Sequence, residues 1–106
     1  MDEENKRYRV VVDTDAGEQL TAHAAFLANV SVDAANRLVD SFVSAAKSLE
    51  SSPLRGPWLH AAFIPANTYR YLMFEKRYAL VYRVRDDVVY VDHVIDQRQD
   101  YRWLFM

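Results

Sequence analysis

Residues 69–95 read YRYLMFEKRYALVYRVRDDVVYVDHVI, and the reading of this run decides the fold. Tyr and Val dominate it, residue types that suit a pleated, half-buried surface. Two charged pairs interrupt it, Lys76-Arg77 and Asp86-Asp87. The run therefore predicts three antiparallel strands, Tyr69 to Glu75, Tyr78 to Arg85 and Val88 to Ile95, joined by two-residue turns. Turns of that length set Arg70 opposite Arg83, and Arg83 opposite Tyr90. Side-chain alternation then sorts the strands into two faces. Tyr71, Met73, Leu80, Tyr82, Val91 and His93 fall on a nearly all-apolar face. Arg70, Leu72, Phe74, Arg83, Tyr90 and Asp92 fall on a mixed face with a basic edge.

Working outward, residues 8–13 (YRVVVD) read as a further short strand, with three consecutive β-branched residues. Asp13-Thr14-Asp15 suits a helix start, and Ala16 to Val30 carries a helical stripe through Leu20, Ala24, Phe26, Leu27 and Val30. Ser31 and Asp33 are N-cap candidates for a second helix. There Leu38, Val39, Phe42, Ala45, Ala46 and Leu49 recur at helical spacing, up to Ser51-Ser52-Pro53. So short a connection makes the two helices an antiparallel hairpin. Leu54 to Asn67 contains Pro57 and Pro65 and no clean period, which predicts a long connecting loop. Asp96 to Met106 closes the chain as a short helix or a docked tail. The expected fold is α+β and a single domain, 1–106: an N-terminal strand, a helical hairpin, then three antiparallel strands in a small twisted sheet under the hairpin.

The chain has 106 residues, 51% of them hydrophobic, enough for one domain with a core. It contains no cysteine, which removes disulfides and thiolate chemistry. Its charged N-terminus lacks a signal-peptide core, and no stretch approaches the ~20 apolar residues of a membrane span. Two isolated glycines, Gly17 and Gly56, exclude a phosphate loop. No cofactor or metal is implied. The formal net charge is −2, but it is unevenly spread. Residues 1–53 hold five basic and nine acidic residues, while residues 54–106 hold eight basic and six acidic. Between Tyr69 and Arg85, Arg70, Lys76, Arg77, Arg83 and Arg85 face Glu75 alone. Like charges placed opposite one another are not chosen for stability, so Arg70 and Arg83 either hold an anion between them, a phosphate or an acidic peptide, or splay into solvent or pair with Asp92 and Asp96. His93 lies by parity on the helix-covered face, the position of a core histidine.

Residues 69–84, then Asp86-Asp87, Val88 to Val91 and Asp96-Gln-Arg-Gln-Asp-Tyr101, resemble the RelE/ParE family of bacterial type II toxin–antitoxin toxins. Residues 34–42 (AANRLVDSF), Leu49, Pro53 and Leu54 resemble that family's second helix and the loop after it. The resemblance implies a cytoplasmic toxin, of a kind associated with plasmid stabilisation, that inhibits growth until a cognate antitoxin wraps it. One branch is a metal-independent endoribonuclease, an mRNA interferase acting on the ribosome. Basic groups there stabilise charge as a 2′-hydroxyl attacks phosphorus, and an acid protonates the leaving oxygen. Carried across, Arg70, Arg98 and Tyr101 match or neighbour that branch's residues, with Arg83 beside them, and Tyr101 or His93 would move protons. Leu72 and Ala79 stand where such nucleases hold Lys and Arg. The other branch, ParE, poisons DNA gyrase by protein binding; a degenerate, non-toxic member is a third expectation. For an acidic antitoxin segment, or for phosphate, the implied contacts are Arg70, Lys76, Arg77, Arg83 and Arg85. Trp58, Phe63, Trp103 and Phe105 would support a homodimer or a partner if exposed, or else seal the edge of the core.

Overall fold

A computed structural model describes residues 6–102. Strand β1 (Arg9–Val12) leads into helix α1 (Thr14–Ala28) and helix α2 (Val32–Ser48); a 3-10 turn (Pro53–Arg55) and a long loop precede β2 (Arg70–Phe74), β3 (Tyr78–Arg85) and β4 (Val88–Asp96). The sheet order is β1-β4-β3-β2, with β1 parallel to β4 and the other pairs antiparallel. Each helix starts where a side chain caps it. Asp13 accepts from the Asp15 N–H at 3.0 Å, and Ser31 accepts from the Ala34 N–H at 3.1 Å.

The hairpin covers one face of the sheet. Leu38, Phe42 and Ala46 of α2 and Leu49 just after it meet Phe74, Leu80, Tyr82, Val89, Val91 and Val94, with Ala16 of α1 beside them. The opposite face is not open, as a simple connecting loop would leave it. Loop residues Leu59 and Ile64 close over Ala79, Val81 and Ile95, with Phe63 and Tyr101 packed against them. The molecule thus has three layers: helices, sheet and loop.

Two registers differ from those expected of two-residue turns. Phe74 pairs with Tyr78, so the β2–β3 turn has three residues, and Arg70 lies opposite Tyr82 rather than Arg83. The extra residue is Glu75, held at φ 47 with Lys76 at φ 73. Neither is the glycine such backbone favours. Helix α2 supplies what a glycine would otherwise provide: Ser41 donates to the Glu75 carboxylate at 2.8 Å and Arg37 lies 3.7 Å from it. One added residue inverts the alternation of β2. Leu72 and Phe74 therefore face the helices, while Met73 is 37% exposed.

The second difference is a bulge in β4. Val81 pairs with His93 but Tyr82 pairs with Val91, which leaves Asp92 as the extra residue. Beyond it the parity inverts again. His93 shares a face with Val81 in the loop-covered layer, not the helix-covered one, and Ile95 follows it there while Val94 turns to the helices. The Asp86-Asp87 turn has two residues, as expected, and Arg83 faces Tyr90. Of the expected C-terminal segment, residues 103–106, including Trp103 and Phe105, lie outside the described residues.

Candidate functional site

Arg70 opens β2 beside the loop that crosses it. Its guanidinium lies over the Trp58 ring at 3.8 Å, and Nη1 donates to the carbonyls of Leu54 at 3.2 Å and Gly56 at 2.7 Å. Just inside, the fully buried Tyr82 hydroxyl donates to the Pro53 carbonyl at 2.6 Å and accepts from the Gly56 N–H at 3.1 Å. Burial raises the pKa of this phenol, so it stays protonated and able to donate. Arg70 and Tyr82 together fasten the start of the loop to the sheet.

Arg83 belongs to a different cluster on the loop-covered face. Its Nε donates to Asp92 at 2.7 Å, and the guanidinium lies 4.6 Å from the Tyr90 ring centroid. The bulge makes this possible by presenting Asp92 out of the regular alternation. The hydrogen bond that Arg83 donates to Asp92 strengthens the charged form of Arg83. Tyr69, half-buried nearby, is raised by burial and by the Asp92 carboxylate. The Tyr69 and His93 rings stand 6.3 Å apart. On its other side His93 approaches Gln19 of α1, whose Oε1 accepts the Val94 N–H at 2.7 Å. That bond satisfies β4 at its edge beyond the end of β1.

Burial lowers the His93 pKa below its ordinary 6.5, against the opposing pull of Asp92, Asp15 and Asp13. The unfolded chain then binds a proton that the folded one resists. This contribution to stability is complete above pH 6.5 and is lost as the pH falls through the lower folded value. Thermal melts of His93→Gln should accordingly lose part of the decline in Tm seen in the parent between pH 7 and pH 5.

The remaining candidates lie elsewhere. Arg98 donates from Nη2 to the buried Asp96 at 3.0 Å and from Nε to its other oxygen at 3.2 Å. Burial acts to raise the Asp96 pKa, but the Arg98 hydrogen bonds outweigh it and hold the carboxyl below its usual range. Tyr101 stacks edgewise on Phe63 at 5.9 Å. Lys76 and Arg77 occupy the β2–β3 turn, while Arg85 ends β3 at its opposite end. Ala79 is 1% exposed, and Leu72 is half-buried against the helices. Of the expected set, then, the fold brings together Arg83 with Tyr69, Tyr90, Asp92 and His93; Arg70, Arg98 and Tyr101 are each engaged apart. Trp58 and Phe63, considered above as dimer contacts, are half-buried under Arg70 and against Tyr101.

Part of the expected apolar stripes, Phe26, Val30 and Val39, is exposed rather than buried. Val32, Val39 and Val43 form an exposed row along α2, at 63%, 37% and 55%, and Phe26 and Val30 are exposed at 70% and 82%. Spacing of seven and then four residues places the three valines on one helix face that borders the stripe of Leu38 and Phe42, so Val39 stands at the edge of the stripe in which its spacing had counted it.

A helical hairpin on a four-stranded sheet, with the first strand parallel to the last, is the architecture of RelE/ParE-type toxins. A family profile described as "ParE toxin of type II toxin-antitoxin system, parDE" matches residues 10–101, so the chain belongs to the ParE toxin family. Among solved structures it is similar to a chain titled "Chromosomal ParDE TA system from P. aeruginosa", with a TM-score of 0.68 and 15% identity, over 86% of this chain and 97% of that one. At that identity the likeness is one of fold. No curated protein matches the chain.

Proposed function

We propose that this toxin acts by binding a protein target, DNA gyrase on the family resemblance, and that a cognate antitoxin neutralises it. One observation carries the reading. Arg70, Arg83 and Arg98, which a nuclease would aim at one phosphate, are each committed to a different partner: loop carbonyls, Asp92 and Asp96. Charge stabilisation of a phosphorane needs cations that converge. Leu72 and Ala79 supply none. The exposed row of valines along α2 suits the apolar face of an antitoxin helix, a common mode of groove recognition. Arg70 and Arg83 stand on opposite faces of the sheet.

A second reading rests on the Arg83 cluster, which holds a cation, a carboxylate, an imidazole and two phenols near one bulge. RNA cleavage is its natural chemistry. Purified toxin should convert gyrase and supercoiled plasmid to cleaved DNA, and leave mRNA intact in a translating extract. Codon-phased mRNA cuts abolished by Arg83→Ala, with gyrase unaffected, would replace the first reading by the second. Arg70→Ala serves as a control in both assays. It should cost about 2 kcal/mol of stability, from two charge-assisted hydrogen bonds and a cation–π contact, and change toxicity only as abundance changes.

A further inference from the structure

The −4 sum of residues 1–53 conceals a cationic surface where β1 begins and α2 ends. Two shallow depressions of about 380 and 360 Å3 adjoin there and share Ser51. The first takes in Ser44 and Lys47, the second Lys6, Ser52 and Arg55. All five are exposed. Arg7 is also present, but it pairs with Glu50 at 3.1 Å and the two cancel. Lys6, Lys47 and Arg55 form no ion pair among the described residues. Arg55 instead donates to Ser48 Oγ at 2.6 Å, which aims its guanidinium across the surface, and Lys6 Nζ stands 5.0 Å over the Tyr8 ring.

From this arrangement we propose that the surface is a sequence-independent contact for the phosphodiester backbone of a nucleic acid. Arg, Lys and serine hydroxyls are the donors that take phosphate oxygens. An acidic peptide would meet the same charge, but peptides draw affinity from apolar anchors in pockets. Leu54 is the one large apolar side chain exposed in these depressions, at 60%. The negative end of the α2 dipole also lies here, offset by Lys47 in its last turn. Asp2, Glu3 and Glu4 precede Lys6 in the sequence. The dipole weakens the contact, and the cations that carry it make it dependent on salt. The proposal does not depend on whether the toxin's target is gyrase or mRNA.

The test titrates the full chain into a labelled 20-base-pair DNA duplex and, separately, a 20-nucleotide single-stranded RNA. With three phosphates neutralised, the log–log salt slope for duplex should be about −2.7, so that a rise from 50 to 200 mM salt weakens binding roughly 40-fold. Lys47→Gln with Arg55→Gln should bring the slope to about −1 and weaken binding at least about 5-fold at 50 mM. Lys76→Gln with Arg77→Gln, at the far end of the sheet, should change neither. Thermal melts establish that both pairs of variants remain folded. The duplex and RNA arms decide which nucleic acid is preferred. The proposal fails if neither probe binds at 50 mM, if the slope survives loss of Lys47 and Arg55, if it is lost instead with Lys76 and Arg77, or if a polyglutamate peptide binds more tightly than both probes.

Discussion

Gly56→Ala should lower stability by about 3 kcal/mol and Tm by about 15 °C. Gly56 has φ −73 and ψ 138, backbone that alanine adopts without strain, so the cost is wholly one of space. A Cβ there would collide with the Tyr82 hydroxyl and stand 2.6 Å from the Tyr71 carbonyl oxygen. Neither neighbour can retreat. Tyr71 O belongs to the backbone of β2, and the Tyr82 hydroxyl is held in a fully buried site by Pro53. The loop would have to lift, breaking the Tyr82 and Arg70 bonds that fasten it and uncovering part of the second core layer. Gly17→Ala is the contrasting control. Its Cβ would enter open space in α1, and the gain in helix propensity should stabilise by up to about 1 kcal/mol. In a double-mutant cycle, Tyr82→Phe should cost about 1–2 kcal/mol alone and add less than its full cost to Gly56→Ala, because both disturb the same fastening. Full additivity in urea melts would show that the two act independently.

Phe74→Ala should cost about 3–4 kcal/mol, while Met73→Ala should cost less than about 1 kcal/mol. Phe74 is 5% exposed, its ring 5.6 Å from Phe42 of α2 and 6.0 Å from Tyr78, at the contact between hairpin and sheet. Met73 is 37% exposed on the other face of the same strand. A two-residue turn at Lys76-Arg77 would exchange these roles, burying Met73 under the helices. Denaturant melts of the two variants therefore read out the β2 register directly. Equal losses, or a larger loss at Met73, would contradict the three-residue turn. Ser41→Ala should act in the same direction on a smaller scale, because it removes the hydrogen bond that holds Glu75 in its left-handed conformation.

Much of the fold was legible along the chain. β-Branched and aromatic runs marked the strands, Asp13 and Ser31 marked helix starts, and the short link between stripes implied a hairpin. These signals are local, carried by neighbouring residues. The cations of the candidate site were legible too, as residue types, and so was the concentration of charge between Tyr69 and Arg85. Their grouping was not, because it depends on the phase of each strand. One residue more in the β2–β3 turn, stabilised by contacts from α2, sent Arg70 to the opposite face from Arg83. One bulge at Asp92 brought an acceptor to Arg83 and moved His93 into the loop-covered layer. The covering of that layer was equally out of reach, since Leu59 and Ile64 sit in a stretch with no period and find their partners only across the sheet.

What the sequence by itself determined was the order and type of the elements, the family to which the chain belongs, and the supply of basic side chains. Tertiary structure alone decided which of those side chains are committed to internal partners and which face solvent. The physical reason is that a strand's side chains alternate with period two, so a single inserted residue exchanges its faces while hardly altering the local sequence signal. Arg70, Arg83 and Arg98 look alike in the sequence. Three-dimensional contacts make them a loop fastener, half of an ion pair and the partner of a buried carboxylate, and leave Lys6, Lys47 and Arg55 as cations turned outward.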